Sequence, residues 1–551
     1  MTIVLLLITA GLTLVLTFLL GFIALRAVTN FPIESCWAFS GVAGCALLSA
    51  ISFGAFLTQR FEPFYYVSAL VGIVFLCIVV IKLRRAPVTW SPLPAWVLYI
   101  FLFWMALVAF QCITPVYTGA FMYGDWWMHY DISLFYRGLR PLDVQYFGIY
   151  GVPSRSPLFN LFCSFFLSIL GDQFYVYQLA ALIPGIALVC VALAFVRPTP
   201  LSLFLFLFNP FMITMILYPW PKVLTTAYIL SGVYFFYRAQ TVSSTKPAQS
   251  DCAASGFWQG LAVLTHMSAV FYILGIFAGH FVRRRPRLKE PLLLALWVGV
   301  PMLCVVLPWL GWVVHHYGFQ SLLHASPAFI GDNGVLSLQG WINRVANLVA
   351  SLLPLPIFIE LFFPGKQFSW ADLWLRFYYA VLPAACTLTV WFTLWKLFRR
   401  KSMPFDLPWP AWPLVAVTGF LCGIIFQPGL NLTGLTGESM APVVAILLIV
   451  TSQIASRYPF RQQQTLMLLI AVEFFASRGV HTFLSVFGTV AENDPNLALK
   501  IQHGLIFAQD VIHPVAPFFL GFGLVVYFLL FYGLMRGALF DRQPSTCDDF
   551  S

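Results

Sequence analysis

The stretch IVLLLITAGLTLVLTFLLGFIAL, residues 3–25, contains no charged residue. A transmembrane helix needs about 20 consecutive apolar residues, so this stretch is long enough to cross a bilayer. It has no basic segment in front of it, and we interpret it as a retained helix and not as a cleaved signal. Similar apolar runs recur along the chain. In lipid the backbone must satisfy its own hydrogen bonds, which favours helices for all of these runs.

The composition of the whole chain agrees with this interpretation. Of its 551 residues, 60% are hydrophobic and only 9% are charged, whereas a soluble domain carries about 25% charged residues. A soluble enzyme and a disordered chain are therefore excluded. The net charge is +10, but the Lys and Arg residues form short clusters between apolar runs, as the positive-inside rule expects. The sequence lacks an aromatic and basic face for stacking bases, so no nucleic-acid partner is expected.

The pattern predicts an all-α polytopic membrane protein with about 13 transmembrane helices, half-helices and extracytoplasmic loop helices. Between 256 and 282 both flanks are basic, and the stretch is too short for two crossings, so it predicts two half-helices turning near residues 265–267. Orientation also requires that one of the segments 156–170 and 174–196 does not fully cross. The apolar runs that predict the other helices are 3–25, 36–58, 63–81, 94–114, 200–217, 222–239, 291–313, 376–396, 410–427, 439–454, 464–487 and 513–536.

The basic clusters also predict how the chain is arranged. They should be cytoplasmic, which places the long loops at 115–155 and 314–375 outside. We divide the chain into N-terminal helices (1–91), a module with the first outer loop (92–313), an outer loop with interfacial helices (314–375) and C-terminal helices (376–551). The chain is expected to lie in a membrane, with membrane lipids as surroundings.

The first outer loop contains most of the candidate catalytic chemistry. Asp125 directly follows a helix end and is the best-placed general base, with His129 four residues later and Asp131 as a further candidate. Carboxylates and aromatic planes together suit carbohydrate. The competing interpretation is an aromatic belt at the membrane interface with solvated charges. The candidate sugar-contacting residues are Trp126, Trp127, Tyr130 and Tyr136.

Basic side chains next to apolar helices form the second group of candidates. Lys222 opens a helix and can bind a phosphate as a point charge, although it can equally extend to the interface without a ligand. His266 lies at the turn between the predicted half-helices, where a satisfied buried histidine is the alternative. Arg478 can hold a lipid phosphate through two hydrogen bonds or form a buried ion pair with Glu473.

Nucleotide-binding motifs are missing from the sequence. It has no GxxxxGK[ST] loop and no GxGxxG after a strand, so a sugar donor would have to come in another form, such as a lipid-linked one. The histidines of the second outer loop have no spacing that names a metal geometry, and no close cysteine pair suggests zinc.

Several stretches resemble the membrane-embedded GT-C glycosyltransferases, in particular the bacterial branch related to protein O-mannosyltransferases and lipid A aminoarabinose transferases. The resemblance covers roughly residues 92–454. Its motifs, in order, are GDWWMHYDISLFYRG (124–138), RSPL (155–158), YPWPKVLTTAYIL (218–230), GLAVLTHMSAVFYILGIF (260–277) and GESMAPVVAILLIV (437–450).

The resemblance implies transfer of a sugar from a polyprenyl-phosphate donor to a lipid, glycan or protein acceptor on the extracytoplasmic face. By match, Asp125 would act as general base, and the leaving phosphate would be held by Lys222, His266 and Arg478, with Arg155 behind them. Many relatives have a second acidic residue where Trp126 stands. No cofactor is certain from these residues, and they leave open whether a divalent cation takes part.

Two other functions compete with this one. A polymerase or ligase of lipid-linked polysaccharide should concentrate arginines in its outer loops, and the 314–375 loop has few basic residues. A secondary transporter should show repeated halves with broken helices in both, whereas only one broken helix is predicted here.

Overall fold

The structure is a computed structural model and is almost entirely helical. It describes residues 2–84, 94–113, 123–146, 150–196, 198–241, 249–284, 289–324, 337–354, 374, 377, 378, 380, 381, 411–425, 440–487 and 516–536. The helices of these ranges are α1 Thr2–Val28, α2 Ile33–Thr58, α3 Pro63–Leu83, α4 Ala95–Ile113, α5 Tyr123–Tyr136, α6 Leu158–Leu170, α7 Phe174–Leu193, α8 Pro200–Leu207, α9 Pro210–Leu217, α10 Lys222–Thr241, α11 Gln249–Thr265, α12 Ala269–Arg284, α13 Lys289–Tyr317, α14 Phe319–His324, α15 Leu338–Leu352, α16 Ala411–Ile425, α17 Ala441–Ala455, α18 Phe460–Phe487 and α19 Ala516–Arg536.

Several of these helices have the length and composition of membrane spans. Within the described ranges, six are long and apolar enough to cross a membrane, or seven if α8 and α9 together make one span. The chain is therefore an all-α multi-pass membrane protein, as the sequence predicts. The total of about 13 crossings stays a prediction, because segments such as 376–396 lie largely outside the described residues.

The predicted single helix over residues 200–217 is wrong. The chain forms two short helices there, α8 and α9, which are bent by 53°. Pro210 cannot continue α8, because its ring removes a backbone donor and clashes with the preceding turn. The Oδ1 of Asn209 instead accepts a hydrogen bond of 2.8 Å from the Met212 amide and caps α9. An Asn–Pro pair is a strong local signal for starting a new helix.

The structure bears on two other expectations about broken or short segments. Helix α6 has only 13 residues, which at 1.5 Å per residue is about 20 Å and shorter than a hydrocarbon core of about 30 Å. It is therefore the segment that we expect not to cross fully. Helix α11 ends at Thr265 and α12 begins at Ala269, so the pair breaks at the turn predicted near residues 265–267.

Helix α7 forms the centre of the bundle. In its most apolar stretch 94% of the residues are buried, against 11% in α3 and 22% in α13. Lipid tails are as apolar as leucine, so helices in a membrane pack by close contact of small residues. Gly21 in α1 illustrates this, since a Cβ there would lie 1.9 Å from the Ser40 carbonyl oxygen of α2. The α1–α2 pair is thus held at backbone contact.

Helices α10 and α11 form an antiparallel hairpin that is closed at both ends. At one end Arg238 of α10 makes a bidentate ion pair with Asp251 of α11, in which the Nε–Oδ2 distance is 2.9 Å. Between the ends, the Ser255 hydroxyl donates to the Gly232 carbonyl at 2.8 Å. The other end brings the start of α10 next to the turn that follows α11.

The two long loops contain ordered structure of their own. The first contains α5, a two-residue strand pair β1 (Gln145–Tyr146) and β2 (Tyr150–Gly151), and a short 3-10 turn. The second contains α15, which ends at Leu352, just before Pro354. Its buried and exposed residues alternate with helical spacing, as expected for an interfacial helix.

Candidate functional site

Four basic side chains come together where α5, the start of α6, the start of α10 and the turn after α11 meet. They are His129, Arg155, Lys222 and His266, and we call them the basic cluster. The charges of Arg155 and Lys222 act on both imidazoles, which places all four groups within electrostatic range of one another. Three of the four are sequence-predicted phosphate ligands and the fourth is a predicted catalytic residue.

Lys222 and His266 are in direct contact. The Lys222 ammonium nitrogen lies 2.7 Å from Nε2 of His266, and Nδ1 of the same ring lies 2.8 Å from the Ser268 hydroxyl. An ammonium group can only donate, so it donates to Nε2 when that nitrogen has no proton. The Ser268 backbone nitrogen also lies 3.2 Å from Nδ1, so the ring is held between the lysine on one side and Ser268 on the other. His266 therefore orients the lysine and does not itself add a charge.

The surroundings of His266 keep it neutral. The residue lies in the turn between α11 and α12, outside the spanning helices. Burial, with the positive charges of Lys222 and Arg155, holds its pKa well below the usual value. A second cation 2.7 Å from an ammonium group would be strongly repelled.

His129 is also a neutral histidine. It is buried, and its Nδ1 lies 3.0 Å from Oδ1 of Asn160 in α6. Burial is the main cause that lowers its pKa to about 3, and the positive charge of Arg155 adds to the effect. The hydrogen bond to the Asn160 side chain opposes this effect only in part. At neutral pH the cluster thus has two cations and two neutral imidazoles.

Arg155 is held in place by the chain on both sides of it. Its backbone is extended after the 3-10 turn, and its amide donates to the Val152 carbonyl at 3.2 Å. The next residue, Ser156, donates its hydroxyl to the Val263 carbonyl of α11 at 3.0 Å. This bond fastens the start of α6 to the last turn of α11 and so brings Arg155 beside the His266 turn.

An apolar groove is lined by residues that are close in sequence to two members of the basic cluster. It has a volume of about 580 Å³ and runs between α1, α2, α6, α10, α11 and α13. Leu158 and Leu264, which line it, are close in sequence to Arg155 and His266, and Leu25 and Phe235 lie further along it. Only Thr29 and Ser49 contribute hydroxyl groups to its wall. The arrangement suits an amphiphile with an anionic head and a long hydrocarbon tail.

The other residues predicted in the first loop have structural partners. Asp131 forms an ion pair of 3.0 Å with Arg140 and is two residues from His129, on another side of α5. Trp127 stacks on Phe174 at 5.4 Å, and the Tyr130 hydroxyl donates to the Asp172 carbonyl.

Tyr136 is fully buried, with its ring 5.2 Å from that of Phe56. A completely buried ring has no face for a sugar. For this tyrosine the packing interpretation of the loop aromatics fits the structure better than a sugar contact.

Two predicted residues have backbones in α5 but side chains outside the described part of the structure. They are Asp125 and Trp126. The helical backbone puts Asp125 one turn before His129, at the spacing that places two residues on one helix face.

Arg478 lies in α18. Among the described residues, no contact between Arg478 and the basic cluster is observed. It is buried, its guanidinium lies 5.6 Å from the Phe110 ring centre, and its Nε has no hydrogen-bond partner.

The described residues contain no group of three His, Cys, Asp or Glu side chains that could hold a metal ion.

Sequence reasoning missed Asn160 and Ser268, the partners of the two histidines. Asn160 had a usable signal, since it is a polar residue in the apolar stretch PLFNLFCSFF, and buried polar groups require a partner. Ser268 is an ordinary turn residue and had none.

Comparison with known proteins gives a similarity to two crystal structures of ArnT from Cupriavidus metallidurans. The one bound to undecaprenyl phosphate has a TM-score of 0.49 and 16% identity, covering 80% of this chain and 77% of ArnT. The apo structure has a TM-score of 0.45 and 14% identity, covering 80% and 78%. No family model and no curated protein matches the sequence. The function has to be inferred from this chain's own residues.

Proposed function

We propose that the protein is a membrane glycosyltransferase that moves a sugar from a polyprenyl-phosphate donor to an acceptor hydroxyl on the extracytoplasmic face of the cell (inner) membrane. The observation that carries the proposal is that Leu158 and Leu264, which line the apolar groove, are close in sequence to Arg155 and His266 of the basic cluster. The phosphate of such a donor needs cations, and its polyprenyl chain needs apolar surface. Lys222 and Arg155 supply the first, and the groove between α1, α2 and α11 supplies the second.

The reaction that fits this arrangement is a displacement at the anomeric carbon. The acceptor oxygen forms the new bond to that carbon, and the bond to the phosphate oxygen breaks with its electron pair left on the phosphate. The phosphate charge thereby grows from −1 to −2. Lys222 and Arg155 interact more strongly with the product charge than with the donor, which stabilises the transition state.

The proton of the acceptor hydroxyl needs a base. Asp125 is our candidate, because it belongs to the same face of α5 as His129 and a carboxylate can take a proton at the moment of attack. The acceptor is a lipid, glycan or protein. The scheme uses the two side-chain cations of Lys222 and Arg155 to balance the phosphate charge and does not call on a divalent cation.

Purified protein in lipid vesicles, incubated with radiolabelled polyprenyl-phosphate sugars and a membrane extract as acceptor, would test the proposal. Wild type, Asp125→Asn and Lys222→Met would be compared, each with and without EDTA. We expect transfer by the wild type in both conditions and loss of at least 100-fold in each variant.

The other outcomes are informative. Transfer that survives Asp125→Asn but not Lys222→Met would keep the enzyme class and move the base to another residue. Transfer that EDTA abolishes would add a metal to the mechanism. Absence of transfer with every donor, from protein that melts normally, would refute the proposal and make a transport assay the next step.

A further inference from the structure

We propose that Asn160 is a positioning residue of this site, which holds the proton of His129 on Nδ1 and leaves Nε2 as a hydrogen-bond acceptor beside Lys222 and Arg155. The inference rests on the proposed function and deepens it, because it names the group of the substrate that His129 meets. That group must donate a hydrogen bond, as the hydroxyl of a sugar or an acceptor does.

The orientation of the Asn160 amide follows from its two partners. Its Nδ2 donates to the Ser156 carbonyl at 3.4 Å, and its Oδ1 lies 3.0 Å from Nδ1 of His129. A backbone carbonyl only accepts, so the amide nitrogen must face Ser156 and the amide oxygen must face His129. An amide oxygen cannot donate, and Nδ1 of His129 therefore carries the proton.

The imidazole is held by more than this one bond. The Phe159 ring meets it edge to face with 5.9 Å between ring centres. The Ser133 hydroxyl donates only to the backbone carbonyl of His129, at 2.7 Å, and does not touch the ring. Asn160 is itself completely buried. Water therefore does not compete for the amide, and the ring has one orientation.

The free nitrogen decides what the histidine can recognise. With its proton on Nδ1, the neutral ring has a bare lone pair on Nε2. The charged groups around it are Arg155 and Lys222, with His266 behind the lysine. The charges of Arg155 and Lys222 disfavour a second proton on the ring when the site is empty. His129 is thus an acceptor of hydrogen bonds, matched to a hydroxyl group next to the phosphate of the bound donor.

The test reads the position of the proton directly. Nitrogen-15 NMR of protein labelled with [¹⁵N]histidine distinguishes a ring nitrogen with a proton from one without, and His129→Gln identifies the His129 signals. We expect the wild type to have its proton on Nδ1 at pH 7. Asn160→Leu should move the proton to Nε2 or divide it between the two, and Asn160→Asp, whose carboxylate also accepts from Nδ1, should restore the wild-type pattern.

Ser133→Ala is the matched control. It removes a buried hydrogen bond to the backbone of the same histidine and leaves the ring contacts in place, so its ring signals should match the wild type. In the transfer assay Asn160→Leu should lower kcat by roughly 10- to 100-fold, with partial recovery in Asn160→Asp.

A wild-type proton on Nε2, or an unchanged pattern in Asn160→Leu, would overturn the inference. If Asn160→Leu does not fold, the wild-type and Asn160→Asp spectra still decide it. The NMR measurement uses no substrate, so it can fail while transfer is observed, and it can succeed in a protein that transfers nothing. Failure of the inference and failure of the proposed function are therefore distinguishable.

Discussion

The ammonium nitrogen of Lys222 lies 2.7 Å from Nε2 of His266. These residues are 44 positions apart, at opposite ends of the α10–α11 hairpin in sequence but at the same end in space. The imidazole accepts a hydrogen bond from the lysine and holds the long, flexible side chain in one orientation. Lys222 thus supplies the positive charge, and His266 fixes where that charge lies.

Lys222→Met should abolish sugar transfer with little effect on folding. Methionine keeps the length and apolar stem of lysine but removes the charge that stabilises the leaving phosphate. Loss of one such group costs about 100- to 1,000-fold in kcat. Arg140→Met is the control, because it removes a cation of the same loop that pairs with Asp131 and should keep activity within about threefold. Equal activity of wild type and Lys222→Met would contradict the assignment.

Acid should destabilise the wild type through His129. The folded pKa is about 3, below the unfolded value of about 6.5. Between these values the unfolded chain binds a proton that the folded protein excludes, so this contribution to stability is complete above pH 6.5 and is lost as the pH falls toward 3. The loss from pH 7 to pH 5 should be about 2 kcal/mol.

Thermal melting in detergent at pH 7 and pH 5 would measure this effect. His129→Gln has no ionisable group at the position, and its Tm should fall less over the same interval. Identical pH dependence in the two proteins would show that His129 titrates as in an unfolded chain.

The groove should determine which lipid chains are accepted. Ala46 lines it, and Ala46→Phe would fill part of the space for the polyprenyl tail. KM should rise about tenfold for a long-chain donor, which is roughly the value of two methylene groups of lost burial. For a three-isoprene donor we expect KM to change much less.

Val15→Phe provides the comparison for the groove variant. Val15 lines a separate apolar cavity of about 370 Å³ between α1, α2, α4 and α7, and this variant should leave both donors unaffected. A rise in KM for the long donor in Val15→Phe alone would place the tail in the second cavity.

The α1–α2 contact should tolerate no side chain at Gly21. A Cβ at this position would lie 1.9 Å from the Ser40 carbonyl oxygen. This oxygen belongs to the backbone of α2, which cannot move aside as the end of a flexible side chain can. Gly21→Ala should therefore lower stability by about 1–3 kcal/mol, seen as a lower Tm. Gly11→Ala in the same helix meets no atom within 4 Å and should be neutral or slightly stabilising, because alanine favours helix. Equal melting of the two variants would show that the helices separate more easily than this contact implies.

Much of the fold could be predicted because helix length in a membrane is a property of each segment alone. The ends of α2, α3, α10 and α19 lie within a few residues of the predicted runs, and the break after Thr265 was visible from basic flanks on both sides. The 53° bend between α8 and α9 was missed although its cause, Asn209-Pro210, is local. The apolar run 200–217 is long enough for one helix, so the N-cap at Asn209 was not recognised as the start of a second helix.

The sequence predicted individual residues of the candidate site but not that they lie together. Lys222, His266, Arg155 and His129 were recognisable because ionisable groups beside apolar helices are costly and need a reason. Their grouping was not recognisable, since six helices (α6 to α11) and several loops lie between residues 129 and 266. Arg478, chosen by the same criterion, lies against Phe110 instead.

The sequence by itself determined that this is a multi-pass helical membrane protein, because the apolar composition and the length of the runs leave the backbone no other way to satisfy its hydrogen bonds in lipid. Only the tertiary structure decided which basic residues act together and which of them keep a charge. A proton equilibrium depends on burial and on neighbours in space. The bond from His129 to Asn160 and the bond from Lys222 to His266 exist only once α5, α6, α10 and α11 have packed together.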